Sequence, residues 1–217
     1  MKILIACEES QAVTIAFRRH GLEAYSCDLK DCTGGHPEWH IRGDVIPVMN
    51  SGEWTAMIAH PPCTHLASSG AKHFAEKIAD GRQQQGIEFF MKFTQTNIPH
   101  VAIENPKGIM STHYRKPDQI IQPWMFGDEA QKGTCLWLEG LPLLKHYAED
   151  DLFHQKTHVG HGEFHITKGG NKLPLWYNLP PSEDRGAIRS KTLPGIAEAM
   201  AVQWGEYLLK HHNSESI

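Results

Sequence analysis

Lys2-Ile3-Leu4-Ile5-Ala6-Cys7, then Ser10 to His20, then Glu23-Ala24-Tyr25-Ser26-Cys27-Asp28 is the stretch on which the fold turns. The first piece is a short apolar run that reads as a buried strand. The second has Val13, Ala16 and Phe17 at helical spacing, with Ser10 as the expected N-cap and Gly21 placed to end the helix. The third is a strand over Glu23 to Cys27, ending in Asp28. Strand, helix and strand joined by short connections open a doubly wound parallel sheet. In such sheets the loop after the first strand meets a cofactor, which makes Cys7, Glu8 and Ser10 candidates. An acidic residue ending the second strand can hydrogen-bond a ribose hydroxyl, so Asp28, with Leu29 beside it, joins them. A helix-capping or solvated Asp28 is an equally good reading of the spacing.

Further along, His36 to His40 reads as a loop. Ile41-Arg42-Gly43-Asp44-Val45 reads as a third short strand and a turn, with a weak helix to Asn50. Asp44 is placed either to bond an adenine amino group or to cap that helix. The next apolar run, Thr55-Ala56-Met57-Ile58-Ala59, stops at His60-Pro61-Pro62-Cys63-Thr64. Two prolines fix φ and remove two backbone donors, so the strand ends there and Cys63 sits on a stiffened loop. A lone cysteine is usually a small buried hydrophobe. Here a second strand, His100-Val101-Ala102-Ile103, ends in Glu104-Asn105-Pro106 and brings a carboxylate to the same sheet edge.

The chain of 217 residues is long enough for one α/β domain with a full core. A net charge of −4 gives no global basic field, so a nucleic-acid partner needs a local patch. Apolar runs of five or six residues are too short to cross a bilayer, and acidic Glu8-Glu9 follow the first run where a signal peptide would continue. The five cysteines form no Cys-x-x-Cys pair, which points to free thiols and a cytoplasmic setting.

Leu66 to Phe74 is a polar loop long enough to cover a pocket. Asp80 to Asn97 is the longest helix of this half, weakened by Gly81 and Gly86. From about 112 to 190 the pattern is irregular, with strand or buried-loop material at Trp124 to Gly127 and Thr134 to Leu138. Little periodicity remains from Phe153 to Pro181. Pro194 to Lys210 is an amphipathic helix with Ile196, Met200, Trp204, Tyr207 and Leu208 on its apolar side, and His211 onward is expected to fray.

A thiol and a carboxylate at adjacent strand ends suit chemistry at position 5 of a pyrimidine. Addition of a thiolate at C6, with an acid at N3, turns the ring into an enamine whose C5 attacks an electrophilic carbon. The acid has to hold its proton near neutral pH, which partial burial favours.

Pro61-Pro62-Cys63 and Glu104-Asn105, in this order and at strand ends, resemble the signatures of DNA (cytosine-5) methyltransferases. Asp28 and Asp44 match that family's contacts to S-adenosylmethionine. End to end, the chain is similar to short phage-encoded proteins described as cytosine methyltransferases. The matching segments are Ala6-Cys7-Glu8, Ala59 to Cys63, Glu104 to Pro106, Thr134 to Leu138 and Lys191 to Ala197. The resemblance implies a Rossmann-like, mostly parallel sheet of the S-adenosylmethionine-dependent methyltransferase type, spanning 1–217 as one domain. It implies methyl transfer to cytosine C5 in DNA, with Cys63 as nucleophile, Glu104 at N3 and Asn105 positioning the loop. The cofactor-binding set is then Cys7, Glu8, Ser10, Asp28, Leu29, Asp44, Val45, His60 and Pro61.

Two features depart from the larger enzymes. Their glycine turn after the first strand is replaced by Cys7-Glu8-Glu9-Ser10-Gln11, where Glu8 is a candidate for the cofactor's ammonium group. Their Gln-x-Arg-x-Arg segment has no clear counterpart, leaving Arg185, Arg189 and Lys191 as substitutes. Phosphate contacts are expected from Lys72, Lys107, Arg185, Arg189 and Lys191, with Lys168 and Lys172 nearby in sequence. Two other readings stand beside this one: modification of a free pyrimidine nucleotide by the same Cys/Glu pair, and a non-catalytic nucleic-acid-binding or decoy protein. The His154, His158, His161, His165 series lacks a recognisable ligand pattern and reads as polar loop residues rather than a metal site. His60 beside Cys63 is not aimed at the thiol by adjacency across two prolines.

Overall fold

A computed structural model describes residues 1–146, 159–167, 169–170, 172–174 and 191–214. Strands β1 (Lys2–Ala6), β2 (Glu23–Asp28), β3 (His40–Arg42), β4 (Ala56–Ala59), β5 (His100–Pro106), β6 (Gln119–Ile121) and β7 (Thr134–Glu139) form one sheet in the order β3-β2-β1-β4-β5-β7-β6. The first five are mutually parallel, with Ile3 opposite Ala56 and Ala59 opposite Ile103. β7 runs antiparallel to both β5 and β6. This is a Rossmann-like, doubly wound, mostly parallel α/β sheet. A separate two-stranded ribbon pairs β8 (Phe164–Ile166) with β9 (Lys172–Pro174).

Alternation along the strands divides the core between the two faces of the sheet. Ile3, Ile5 and Ile58 pack with Val13 and Phe17 of α1 (Ala12–Arg19) and with Ile196, Met200, Trp204 and Leu208. Leu4, Met57 and Val101 pack on the other face with Val45 and Met49 of α2 (Val45–Met49) and with Ile87, Phe90 and Phe93. The chain leaves β1 for β2 on one side and reaches β4 on the other. The switch point, where open α/β sheets hold ligands, therefore lies outside the carboxyl ends of β1 and β4.

Several local expectations change. Gln11, not Ser10, is the N-cap of α1. The expected loop over Leu66 to Phe74 is a 3₁₀ helix, Ser68–His73, running into α3 (Phe74–Ala79). Gly81 takes a φ of 80°, which glycine alone adopts without strain, and so α4 is Arg82–Phe93 rather than Asp80 to Asn97. His36 to His40 contains a 3₁₀ turn, Pro37–Trp39, with the His36 ring stacked on Trp39 at 3.9 Å. A short α5 (Met110–His113) follows β5. The C-terminal helix, α6, runs Pro194–Ala199, passes through a π-helical turn over Met200–Trp204 and continues as Gly205–Ser214 without fraying at His211. No helix among the described residues is long and apolar enough to cross a membrane.

Candidate active site

The turn after β1 achieves without glycine what a glycine turn would do by flexibility. Cys7 and Gln11 both adopt left-handed backbone, with φ of 60° and 56°. A side chain there costs roughly 1–2 kcal/mol per residue, so the surroundings have to impose it. Gln11 is fully buried; its amide donates to Ser26 Oγ and to the His36 carbonyl, and its Oε1 accepts from the His36 amide. Glu8, only 4% exposed, turns its carboxylate onto the start of α1. It accepts from the Val13 amide at 2.6 Å, the Thr14 amide at 3.2 Å and the Thr14 hydroxyl at 2.7 Å. Helix starts leave amides unpaired and favour negative charge, so this is a capping role. Both Glu8 oxygens thus serve the helix, and the residue also lines the cavity where a ligand's ammonium group is expected to meet it.

Across the switch point, the His60 amide donates to the Ala6 carbonyl at 2.9 Å, extending β4 by one residue before the prolines end it. The Cys63 carbonyl then accepts from Leu66 and Ala67, turning the chain back. β5 runs three residues beyond its expected end and delivers Glu104 and Asn105 beside this loop. Asn105 Nδ2 donates to the Pro61 carbonyl at 2.7 Å. The loops leaving β4 and β5 are also zipped together: Ser68 and Ile109 amides donate to the Lys107 and Leu66 carbonyls, and Ala67 pairs with Gly108. A Cβ on Gly108 would stand 2.1 Å from the Leu66 oxygen, so only glycine allows this approach. Below the turn, the buried Lys77 donates to the Thr64 carbonyl at 2.6 Å.

These pieces surround one open cavity. It is lined by Cys7 to Ser10 on one side, His60 to Cys63 and Glu104 to Pro106 in the middle, and Lys132, Lys191 and Thr192 on the other. Cys63 and Glu104 therefore face a common space. Glu104 Oε2 lies 3.1 Å from His60 Nδ1, the two side chains being 11% and 10% exposed. Burial pushes the Glu104 carboxyl up, but the His60 hydrogen bond, the Lys132 charge and the Thr134 hydroxyl outweigh it and hold the group below its usual range. A carboxyl that keeps its proton by burial is thus not what this site contains. Among the thiols, burial pushes Cys27 and Cys135 up to about 11 and Cys7 higher still, which leaves all three protonated and inert near neutral pH. Cys63 is half-buried at the cavity wall.

The other expected residues fall into three groups. Asp28 and Asp44 lie beside the cavity rather than in its wall, and their charges reach both Cys7 and Cys27. Asp28 Oδ1 accepts from the Lys30 amide, and Asp44 Oδ1 from Ile46, so Asp44 does cap α2. Leu29 is 73% exposed, whereas the Val45 side chain is part of the core. Lys72 and Lys107 are exposed on the paired loops, and Lys191 lines the cavity. Arg185, Arg189 and Lys168 lie outside the described residues, as do His154 and His158, while His161 stacks on Trp124 at 4.3 Å. Lys132 was missed by sequence reasoning. It is buried, sits near Glu104 and donates to the Lys191 carbonyl at 3.0 Å. Its position follows from the antiparallel course of β7, which puts Thr134 opposite Pro106 and so returns the start of β7 to the end of β5.

No protein-family model matches the sequence, and no curated protein does. Among solved structures, the chain is similar to a protein described as a DNA modification methyltransferase encoded within an E. coli prophage, with a TM-score of 0.47 and 12% identity over 77% of this chain and 58% of that one. It is also similar to an Entamoeba histolytica methyltransferase, with a TM-score of 0.49 and 14% identity over 73% of this chain and 57% of that one. The chain spans under three-fifths of the length of either.

Proposed function

We propose that the protein transfers a methyl group from S-adenosylmethionine to C5 of cytosine in DNA, through a covalent bond between Cys63 and C6. The observation that carries this reading is that Cys63 and Glu104, from the ends of neighbouring parallel strands, line one cavity at the switch point of the sheet. Three residues at the edge beside it support this cofactor. Asp28 ends β2 as a ribose ligand should, Leu29 offers an exposed apolar surface next to it, and Asp44 lies close by. Glu9, which lines the cavity and pairs with Lys30 at 3.3 Å, replaces Glu8 as the carboxylate available to an ammonium group. Bound there, the cofactor supplies an electrophilic methyl carbon.

The chain's own part is to make C5 nucleophilic. Cys63 Sγ bonds to C6, the electrons of the C5–C6 double bond are released toward C5, and N3 takes up a proton at Glu104. Asn105 holds the Pro-Pro-Cys loop against β5 so that sulfur and carboxyl keep their spacing. The C5 proton then passes to solvent through the open cavity, Glu104 takes back the N3 proton and Cys63 leaves as the thiolate, which restores the aromatic ring. Lys191 at the cavity wall and the exposed Lys72 and Lys107 on the neighbouring loops are the candidate phosphate contacts for DNA whose extruded cytosine enters the cavity.

The test is methyl transfer to duplex DNA and to dCMP, together with trapping on 5-fluorocytosine DNA. Transfer to duplex DNA and a trapped adduct, both lost in Cys63→Ser, are expected. Transfer to dCMP alone would replace DNA with a nucleotide substrate, and parent-rate transfer by Cys63→Ser would remove the covalent mechanism.

A further inference from the structure

His60 is held by Glu104 and by no other side chain among the described residues. Its Nδ1 stands 3.1 Å from Glu104 Oε2, and its Nε2 is buried with no hydrogen-bond partner among the described residues. A ring nitrogen bonded to a carboxylate carries a proton, so the His60 Nδ1 proton has one described outlet, the Glu104 carboxylate. The ring also lines the cavity that holds Cys63. The groups that bear on this pair are Lys132 from the approach to β7, Thr134 and Cys135 within β7, Lys191 before α6 and Glu9 from the turn after β1. Lys132 favours an ionised Glu104, and an ionised Glu104 has no proton to give to a pyrimidine. The reaction requires one.

We propose that His60 is a positioning residue that stores this proton and passes it through Glu104 to N3 as Cys63 adds to the ring, an inference that rests on the function proposed above. The relay starts from Cys63 as the thiolate and from a pair that holds one proton more than an ionised Glu104 and a neutral imidazole. As the Sγ–C6 bond forms and the double-bond electrons move into the ring, the Nδ1 proton moves to the Glu104 carboxylate and the carboxyl gives a proton to N3. The products are the neutral enamine adduct, ionised Glu104 and neutral imidazole with its hydrogen on Nε2. Elimination of Cys63 runs the proton back by the same route. No oxidant or further reactant enters.

The experiment uses the full chain and duplex DNA carrying [5-³H]cytosine, with no methyl donor. Tritium release to water then reports addition at C6 and protonation alone. His60→Asn keeps an amide donor toward Glu104 but stores no proton. It should release tritium at least about 100-fold more slowly. Added imidazole should restore release in His60→Ala, a readout that a purely structural role would not move. His60→Asn at the parent rate overturns the proposal, and so does His60→Ala without imidazole rescue when its DNA binding is intact. Wild-type protein that neither releases tritium nor forms a 5-fluorocytosine adduct removes the covalent reading itself, and the role of His60 with it. Release and adduct formation in wild type, with an unaffected His60→Asn, remove only the role of His60.

Discussion

The Asn105 side chain and the Pro61 carbonyl meet at 2.7 Å in a buried hydrogen bond that ties the end of β5 to the Pro-Pro-Cys loop. Neither proline can donate a backbone hydrogen bond of its own, so this contact does what ladder hydrogen bonds would otherwise do. Asn105→Ala leaves the Pro61 oxygen buried and unpaired. It should lower stability by about 1–3 kcal/mol and slow formation of the 5-fluorocytosine adduct at Cys63 by at least tenfold. Urea unfolding and a gel-shift time course measure the two effects. An unchanged adduct rate would separate Asn105 from the placement of Cys63.

Gly108 fixes the same two loops from the other side. A methyl group there would collide with the Leu66 carbonyl, a backbone atom that cannot swing away. Gly108→Ala should therefore part the loops, break the Ser68–Lys107 and Ile109–Leu66 bonds, and destabilise the protein by about 2 kcal/mol or more. Gly43, whose added Cβ would meet nothing within 4 Å, is the control. Gly43→Ala should unfold at nearly the parent urea concentration.

The parallel half of the fold was legible because its signals are local. Apolar runs at Lys2, Glu23, Thr55 and His100, the last three closed by Asp28, Pro61 and Pro106, mark β1, β2, β4 and β5. Cys63 and Glu104 follow from the ends of those runs. The rest depends on contacts distant in sequence. Glu8 lies beside the N-terminus of α1 only because Cys7 and Gln11 take left-handed backbone, a conformation that nothing in Cys7-Glu8-Glu9-Ser10-Gln11 advertises. Lys132 reaches Glu104 only because β7 runs antiparallel, and strand direction is not written in the run Thr134 to Leu138. The charge balance at Glu104 is hidden for the same reason: burial is readable from Val101-Ala102-Ile103, whereas a lysine 28 positions away (132 − 104) is not.

Glu8 gives a third prediction. Its carboxylate accepts two helix amides and a hydroxyl, all buried, and so stabilises a strained turn. Glu8→Ala should cost about 2–3 kcal/mol, which for a chain of this size lowers the melting temperature by roughly 4–12 °C. Glu8→Gln, which keeps one acceptor, should lose less. A ligand-binding role without a capping role would instead leave the melting temperature of the free protein unchanged.

Glu104 links the site to pH. Its carboxyl is held below the ordinary value of 4.5 in the folded chain, because His60, Lys132 and Thr134 together outweigh burial. A depressed carboxyl binds its proton more weakly folded than unfolded, so its contribution to stability is fully present above about pH 4.5–5 and disappears as pH falls through the folded value. Glu104→Gln cannot ionise and lacks that dependence. The stability difference between wild type and Glu104→Gln, read from urea unfolding between pH 7 and pH 3, should therefore be flat near neutrality and shrink once the pH drops below about 5. A difference that instead grew on acidification would mean that burial wins and that Glu104 enters the reaction already protonated. The pyrimidine would then draw its proton directly from Glu104, and His60 would have none to supply.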